Sequence, residues 1–207
     1  NNLLVIECVD KAVKLTNTYT AEIYEDKLDS DIITSLISNA AGVTKNVSLT
    51  SVMNDFLPKY NCNDWDFIIQ RAEANGMIVL NSDNELTVTE PKPLITIPEL
   101  TVTYGNAMID FQAEVDATTQ YSTFDISSYD PYNEEVISSV SQEPSLVDPG
   151  NLDGVTISKD VAPTKNELST SSVLTSSEAK NIADAYLTRS RLSRLVGRIC
   201  IKGINNI

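Results

Sequence analysis

The chain has 207 residues, 42% of them hydrophobic, a formal net charge of −14 and no histidine. That length allows one or two domains of ordinary size. An acidic body repels nucleic-acid phosphates, no stretch reaches the roughly 20 apolar residues of a membrane-spanning helix, and without His there is no His-based triad, general base or metal ligand.

Taken in order, the apolar run at 3–6 and the alternation through Leu15 predict one or two strands, and the polar stretch 17–30 a connector. Asp29 or Ser30 is placed to cap a helix carrying Ile32, Ile33, Leu36, Ile37 and Ala40 on one face, with Gly42 closing it. Residues 43–60 read as extended or loop. The clearest stretch is 57–89, which reads as strand, helix, glycine stop, strand, turn, strand. Asn63 or Asp64 can cap its helix, and Asp64 and Asp66 put negative charge at the positive end of the helix dipole. Trp65, Ile68, Ile69 and Ala72 recur at helical spacing, Gly76 supplies the left-handed stop, and a polar turn at 81–84 joins two strands.

Pro91, Pro93 and Pro98 mark a boundary, since each fixes φ and removes a ladder donor. Beyond them, strands are expected at 100–104, 108–115, 121–128 and 136–140, with a turn at 130–133. Residues 141–175 are rich in Ser, Pro, Asp and Thr and read as a long loop. Thr175 and Glu178 fit a capping box for a helix over about 176–194 carrying Ala179, Ile182, Ala183, Tyr186 and Leu187, and 195–201 reads as a strand interrupted by Gly197. The chain opens without Met and ends in an apolar run, so an internal fragment with unpartnered strands is expected.

Charge is unevenly spread. Residues 1–175 hold nine Lys/Arg against 27 Asp/Glu, whereas 176–207 hold six against two. Cys8, Cys62 and Cys200 are too few and too widely spaced for a disulfide framework or zinc site, and their apolar surroundings predict buried thiols in a reducing compartment. Residues 148–154 only faintly resemble a calcium loop, because Pro149 occupies a ligand position. Asn46-Val47-Ser48 has the form of a glycosylation sequon, and carboxylates such as Asp110 and Glu114 sit at a spacing that 29 acidic residues produce without design. No catalytic, cofactor-binding or metal-binding residue is therefore assigned.

The run YNCNDWDFIIQRAEANGMIVL at 60–80 resembles the "(S/T)DWDF…RAE.NG" signature of VgrG-type spike proteins and the related hub proteins of contractile phage tails. Segments at 25–42, 102–131 and 176–203 resemble the same family in collinear order. The resemblance makes Trp65, Phe67, Ile68, Ile69, Ala72 and Gly76 the structural core of the signature. It implies a β-rich α+β fold: residues 1–20 ending a first hub barrel, 21–92 a small inserted two-helix α/β module, and 93–207 the first part of a second antiparallel barrel. It further implies a non-enzymatic hub, homotrimeric when complete, that adapts a hexameric tail tube or Hcp-like protein to a trimeric spike bearing tip or effector proteins. Such a hub is assembled in the bacterial cytoplasm into an injected or virion tail particle, with no nucleic-acid partner. Arg189, Arg191, Arg194 and Arg198 are the candidate subunit-interface residues. The readings set against it are a β-rich surface adhesin and a carboxylate-dependent hydrolase.

Overall fold

The computed structural model describes Leu4, Ile6 and residues 8–91, 101–146, 153–161 and 165–203. The fold is β-rich α+β, and the chain divides into two compact units, Asn1–Pro91 and Lys92–Ile207. The strand expectation at Leu3 and Val5, the prolines at 93 and 98, and the calcium-like positions 148–152 lie outside the described residues.

The first unit opens with a 3-10 helix, Lys11–Thr16, in place of the expected strand alternation. Ala12 and Leu15, three residues apart, face the core together, as the three-residue turn of that helix requires. Asp10 caps it by accepting the Ala12 N–H at 2.8 Å, and its other oxygen accepts the Asn84 N–H at 2.9 Å. The expected connector at 17–30 is instead strand β1, Tyr19–Leu28, paired antiparallel with β3, Met53–Asn63. Its polar sequence hides it: only Tyr24 is buried, stacked on Phe67 with ring centroids 6.0 Å apart.

Helix α1, Asp29–Ser38, buries Ile32, Ile33, Leu36 and Ile37. Neither Asp29 nor Ser30 is its cap. Both lie inside the first turn, and Thr50 Oγ1 accepts the Ser30 N–H at 3.1 Å. Helix α2, Asp64–Ala74, is capped by Asn63, whose Oδ1 accepts the Asp66 N–H at 2.7 Å. It closes at Gly76, φ +67°, with Met77 N–H to Ala72 carbonyl (2.8 Å) and Gly76 N–H to Glu73 carbonyl (3.1 Å), the paired bonds of a Schellman stop. Strands β4 (Ile78–Ser82) and β5 (Glu85–Thr89) form a hairpin whose turn residues Asp83 and Asn84 have φ +50° and +63°, as a type I′ turn needs. Strand β2, Thr44–Val47, pairs parallel to β5 and completes the order β2-β5-β4. Both helices and this sheet enclose one apolar core.

In the second unit, β6 (Met108–Val115) pairs antiparallel with β10 (Leu195–Ile201). A three-stranded sheet is ordered β8 (Glu135–Val140), β7 (Thr123–Asp130), β9 (Lys165–Thr170), with β7 and β9 parallel. Of the strand expected at 100–104, Leu100 lies outside the described residues and Tyr104 makes only an isolated bridge to Met108. The expected loop at 141–175 contains helix α3, Gly154–Val161, and strand β9. β9 reads KNELST, with Leu168 its one large apolar residue, so neither composition nor alternation marks it. Helix α4, Ser176–Leu192, carries the expected capping box, Glu178 N–H to Thr175 Oγ1 (3.2 Å) and Thr175 N–H to Glu178 Oε2 (2.7 Å). It buries Ala179, Ala183 and Leu187 against Phe124 and Ile126, and Tyr186 stacks on Phe124 at 4.6 Å.

Candidate functional site

Charged side chains are buried in both units, and Asp29, Lys59 and Arg191 are each tied to a neighbouring element. In the first, Asp29 at the start of α1 is buried and accepts a two-pronged bond from Arg71 of α2, Nε to Oδ1 at 2.6 Å and Nη2 to Oδ2 at 2.8 Å. Asn75 donates to Asp29 Oδ2 at 2.7 Å and Asn54 of β3 to Oδ1 at 3.2 Å, while Arg71 Nη2 also reaches Asn54 Oδ1 at 3.1 Å. Nearby, the fully buried Lys59 ammonium pairs with Asp64 and donates to Thr20 Oγ1 at 2.7 Å, joining β3, α2 and β1. With no buried side-chain polar atom of its own left unpaired, such a cluster fixes the relation of the two helices and the ribbon. Phe67, Ile68 and Ala72 of the signature are buried, Trp65 packs half-buried at the core margin, Ile69 is half-buried, and Gly76 ends the helix.

In the second unit, Arg191 is buried and holds Glu143 through Nε–Oε1 at 2.6 Å and Nη2–Oε2 at 2.8 Å. Gln120, also buried, donates to the Ser190 carbonyl at 2.5 Å. Gly154 lies so close that a Cβ there would meet Arg191 Cδ at 2.5 Å. Residues 140–143 are held along α4 by further bonds, Lys180 Nζ to the Val140 carbonyl (3.1 Å) and Gln142 N–H to Asp184 Oδ1 (2.6 Å). Arg194 is buried as well, and its carbonyl accepts the Asp116 N–H at 2.8 Å. Arg189 and Arg198 are exposed, so the four candidate arginines divide into two inward and two outward.

Among the described residues, two two-stranded ribbons leave apolar side chains exposed. In β6–β10 the register sets Leu195 opposite Val115 and Ile199 opposite Phe111, and strand alternation adds Ile109 to that face. These five residues are 43 to 57% exposed, although the other face carries Asp110, Gln112, Glu114 and Arg198. In β1–β3, Ile23 opposite Pro58 and Phe56 opposite Glu25 make an exposed outer face. Among the described residues each ribbon strand pairs only with its one partner.

Cys8 and Cys200 are exposed, which corrects the expectation of buried thiols. Cys200 stands in a two-stranded ribbon opposite Asp110, where a strand-like sequence does not mean burial. Cys62 is half-buried, and burial pushes its thiol up. Among the described residues no group of three or more Cys, Asp or Glu side chains could hold a metal ion, and no helix is long and apolar enough to cross a membrane.

Several carboxylates organise turns. Asp130 accepts the Tyr132 N–H at 2.8 Å, Asp116 the Thr118 N–H at 2.8 Å and Asp153 the Thr156 N–H at 2.6 Å. Hydrogen bonds from Ala12, Thr118, Tyr132 and Thr156 hold Asp10, Asp116, Asp130 and Asp153, respectively, below the usual carboxylate range. Carboxylates with lowered folded-state pKa values contribute stability above the unfolded value near 3.9 and lose it as pH falls through the folded values. These four groups are therefore expected to contribute stability that persists down to about pH 4 and fades below it. Asp130→Asn should flatten that acid limb in a urea-unfolding series against pH.

With the geometry in place, comparison with solved structures identifies the class of fold. The 43 kDa tail protein of prophage MuSo2 from Shewanella oneidensis matches with a TM-score of 0.64 at 12% identity, over 94% of this chain and 56% of that one. The tail protein from Neisseria meningitidis MC58 matches with a TM-score of 0.60 at 12% identity, over 93% of this chain and 56% of that one. The chain thus has the fold of these tail proteins and spans a little over half their length. It belongs to the Alg8 N-terminal domain family, whose model matches residues 1–207. The matching family model is therefore not that of the VgrG-type proteins. A search of curated proteins finds no match.

Proposed function

We propose that the chain is a structural, non-catalytic part of the hub of a contractile injection apparatus, where copies assemble between a tail tube and the spike below it. The observation that carries this reading is the extent of the likeness: one prophage tail protein's fold covers 94% of the chain, across both compact units. The collinear resemblance of four segments to the VgrG-type and phage-hub signature supports the hub in particular. The buried ionic clusters fit the same role, because a scaffold that transmits load needs its helices and sheets fixed against one another. On this reading the partners are further copies of the chain, as a trimer, a tube-forming protein above, and spike-tip or effector proteins below.

Deleting the encoding gene in the producing bacterium should abolish assembled contractile particles in electron micrographs of purified preparations. A tagged chain should be recovered in the particle fraction, at one end of the tube. Normal particles in the deletion strain, with the chain absent from wild-type particles by mass spectrometry, would refute the reading.

A further inference from the structure

We propose that Asn75 is a site of self-modification: the Gly76 nitrogen deamidates its side chain, the fold holds that reaction latent, and a chain that has reacted cannot rebuild the Asp29–Arg71 cluster. The inference goes beyond the hub reading and does not depend on it.

The chemistry begins in the sequence. Asn75-Gly76 is the one Asn-Gly pair in the chain. An asparagine amide is open to attack by the backbone nitrogen of the residue that follows it, and a following glycine, with no Cβ, leaves that approach clear. The Gly76 nitrogen gives up its proton and bonds to Asn75 Cγ, the Cγ–Nδ2 bond breaks, and ammonia leaves. Water then opens the five-membered imide at either carbonyl, giving aspartate or isoaspartate. The net change consumes one amide and one water and yields one carboxylate and one ammonium.

The fold explains both the presence of the pair and its restraint. Gly76, φ +67°, makes the Schellman stop of α2, and its N–H donates to the Glu73 carbonyl at 3.1 Å, which keeps on the nitrogen the proton it must lose. Asn75 Nδ2, the leaving group, donates to Asp29 Oδ2 at 2.7 Å and to the Arg71 carbonyl at 2.9 Å. These bonds must break before the ring can close. Helix ends open locally more often than whole units unfold, and a reaction slow against opening and closing runs at its unfolded-chain rate multiplied by the open fraction.

The product does not fit the closed site. Both groups that Nδ2 serves are acceptors, so a carboxylate at position 75 has no proton to offer them and sets a second negative charge against the buried Asp29. Reaction therefore turns a transient opening of the α2 end into a permanent loss of the cluster.

The test follows the full 207-residue chain by peptide mapping in mass spectrometry, in buffer and in guanidinium chloride at one pH and temperature. In denaturant, Asn75 is expected to deamidate before every other asparagine. In buffer its rate should fall at least about thirtyfold, and Arg71→Ala, which frees Asp29 from the guanidinium, should raise that native rate at least about fivefold. Asn75→Asp installs the product directly, and should have a folded-to-unfolded ratio about tenfold below that of Asn75→Ala.

Equal rates in buffer and denaturant overturn the inference, because the fold then holds nothing latent. So does another asparagine reacting first in denaturant, an Arg71→Ala native rate equal to that of the wild type, or an Asn75→Asp variant as stable as Asn75→Ala. None of these results touches the particle-deletion experiment, so the hub reading stands or falls separately.

Discussion

Replacing Arg71 by alanine is expected to lower the unfolding free energy of the Asn1–Pro91 unit by about 3–5 kcal/mol, the usual cost of leaving one partner of a buried ion pair alone. Asp29 is almost wholly buried, and without the guanidinium its carboxylate retains only the amides of Asn54 and Asn75. Arg71→Lys should recover part of the loss, because an ammonium cannot make the two parallel bonds at 2.6 and 2.8 Å. Asn75→Ala should cost less, about 1 kcal/mol, since it removes neutral donors and leaves the ion pair intact. Trp65 is the chain's one tryptophan and packs at the margin of this unit's core, so its fluorescence in a urea titration reports this unit. A loss below about 1 kcal/mol for Arg71→Ala would mean that apolar packing alone sets the helices.

The elements that can be read from sequence are those whose signals are local. Helix α2 carries its cap, its acidic first turn, its apolar line and its glycine stop within a dozen or so residues, and α4 carries a complete capping box. Strands β6 and β10 alternate or run apolar, and both are legible. What sequence does not disclose depends on distant partners. Asp29 has the composition of a cap but serves Arg71, 42 residues away, and Thr50 caps the helix instead. Strand β1 is polar because most of its residues face outward, and β9 has Leu168 as its one large apolar residue, so only pairing with β3 and β7 reveals them. The same blindness applies to the candidate surfaces: alternation in β6 and β10 shows that one face is apolar, but not that nothing among the described residues covers it. Charge gives the least guidance. A run of arginines near the C-terminus reads as a candidate subunit interface, yet burial separates Arg191 and Arg194 from Arg189 and Arg198.

That separation leads to a sharp expectation. Arg191→Glu should destabilise the Lys92–Ile207 unit by about 4 kcal/mol or more, because it removes a buried cation and sets a second carboxylate against Glu143. The charge reversal also strands Gln120, whose amide oxygen faces Arg191 Nη1 at 3.5 Å. Arg191→Met should be milder, since Glu143 is about half exposed and can regain water while the apolar stem keeps its packing. Gly154→Ala tests the same clamp from the other side: its Cβ falls 2.5 Å from Arg191 Cδ, within a buried side chain that is held at both prongs. Displacing that side chain should cost about 1–3 kcal/mol, in the range of overpacked cores. Arg198→Glu, on the exposed face of β10, should stay within about 0.5 kcal/mol of wild type in a thermal melt. If Arg191→Glu melts like wild type and differs only in its sedimentation, the residue lies at a contact between copies; if it melts early while Arg198→Glu melts normally, Arg191 belongs to the fold.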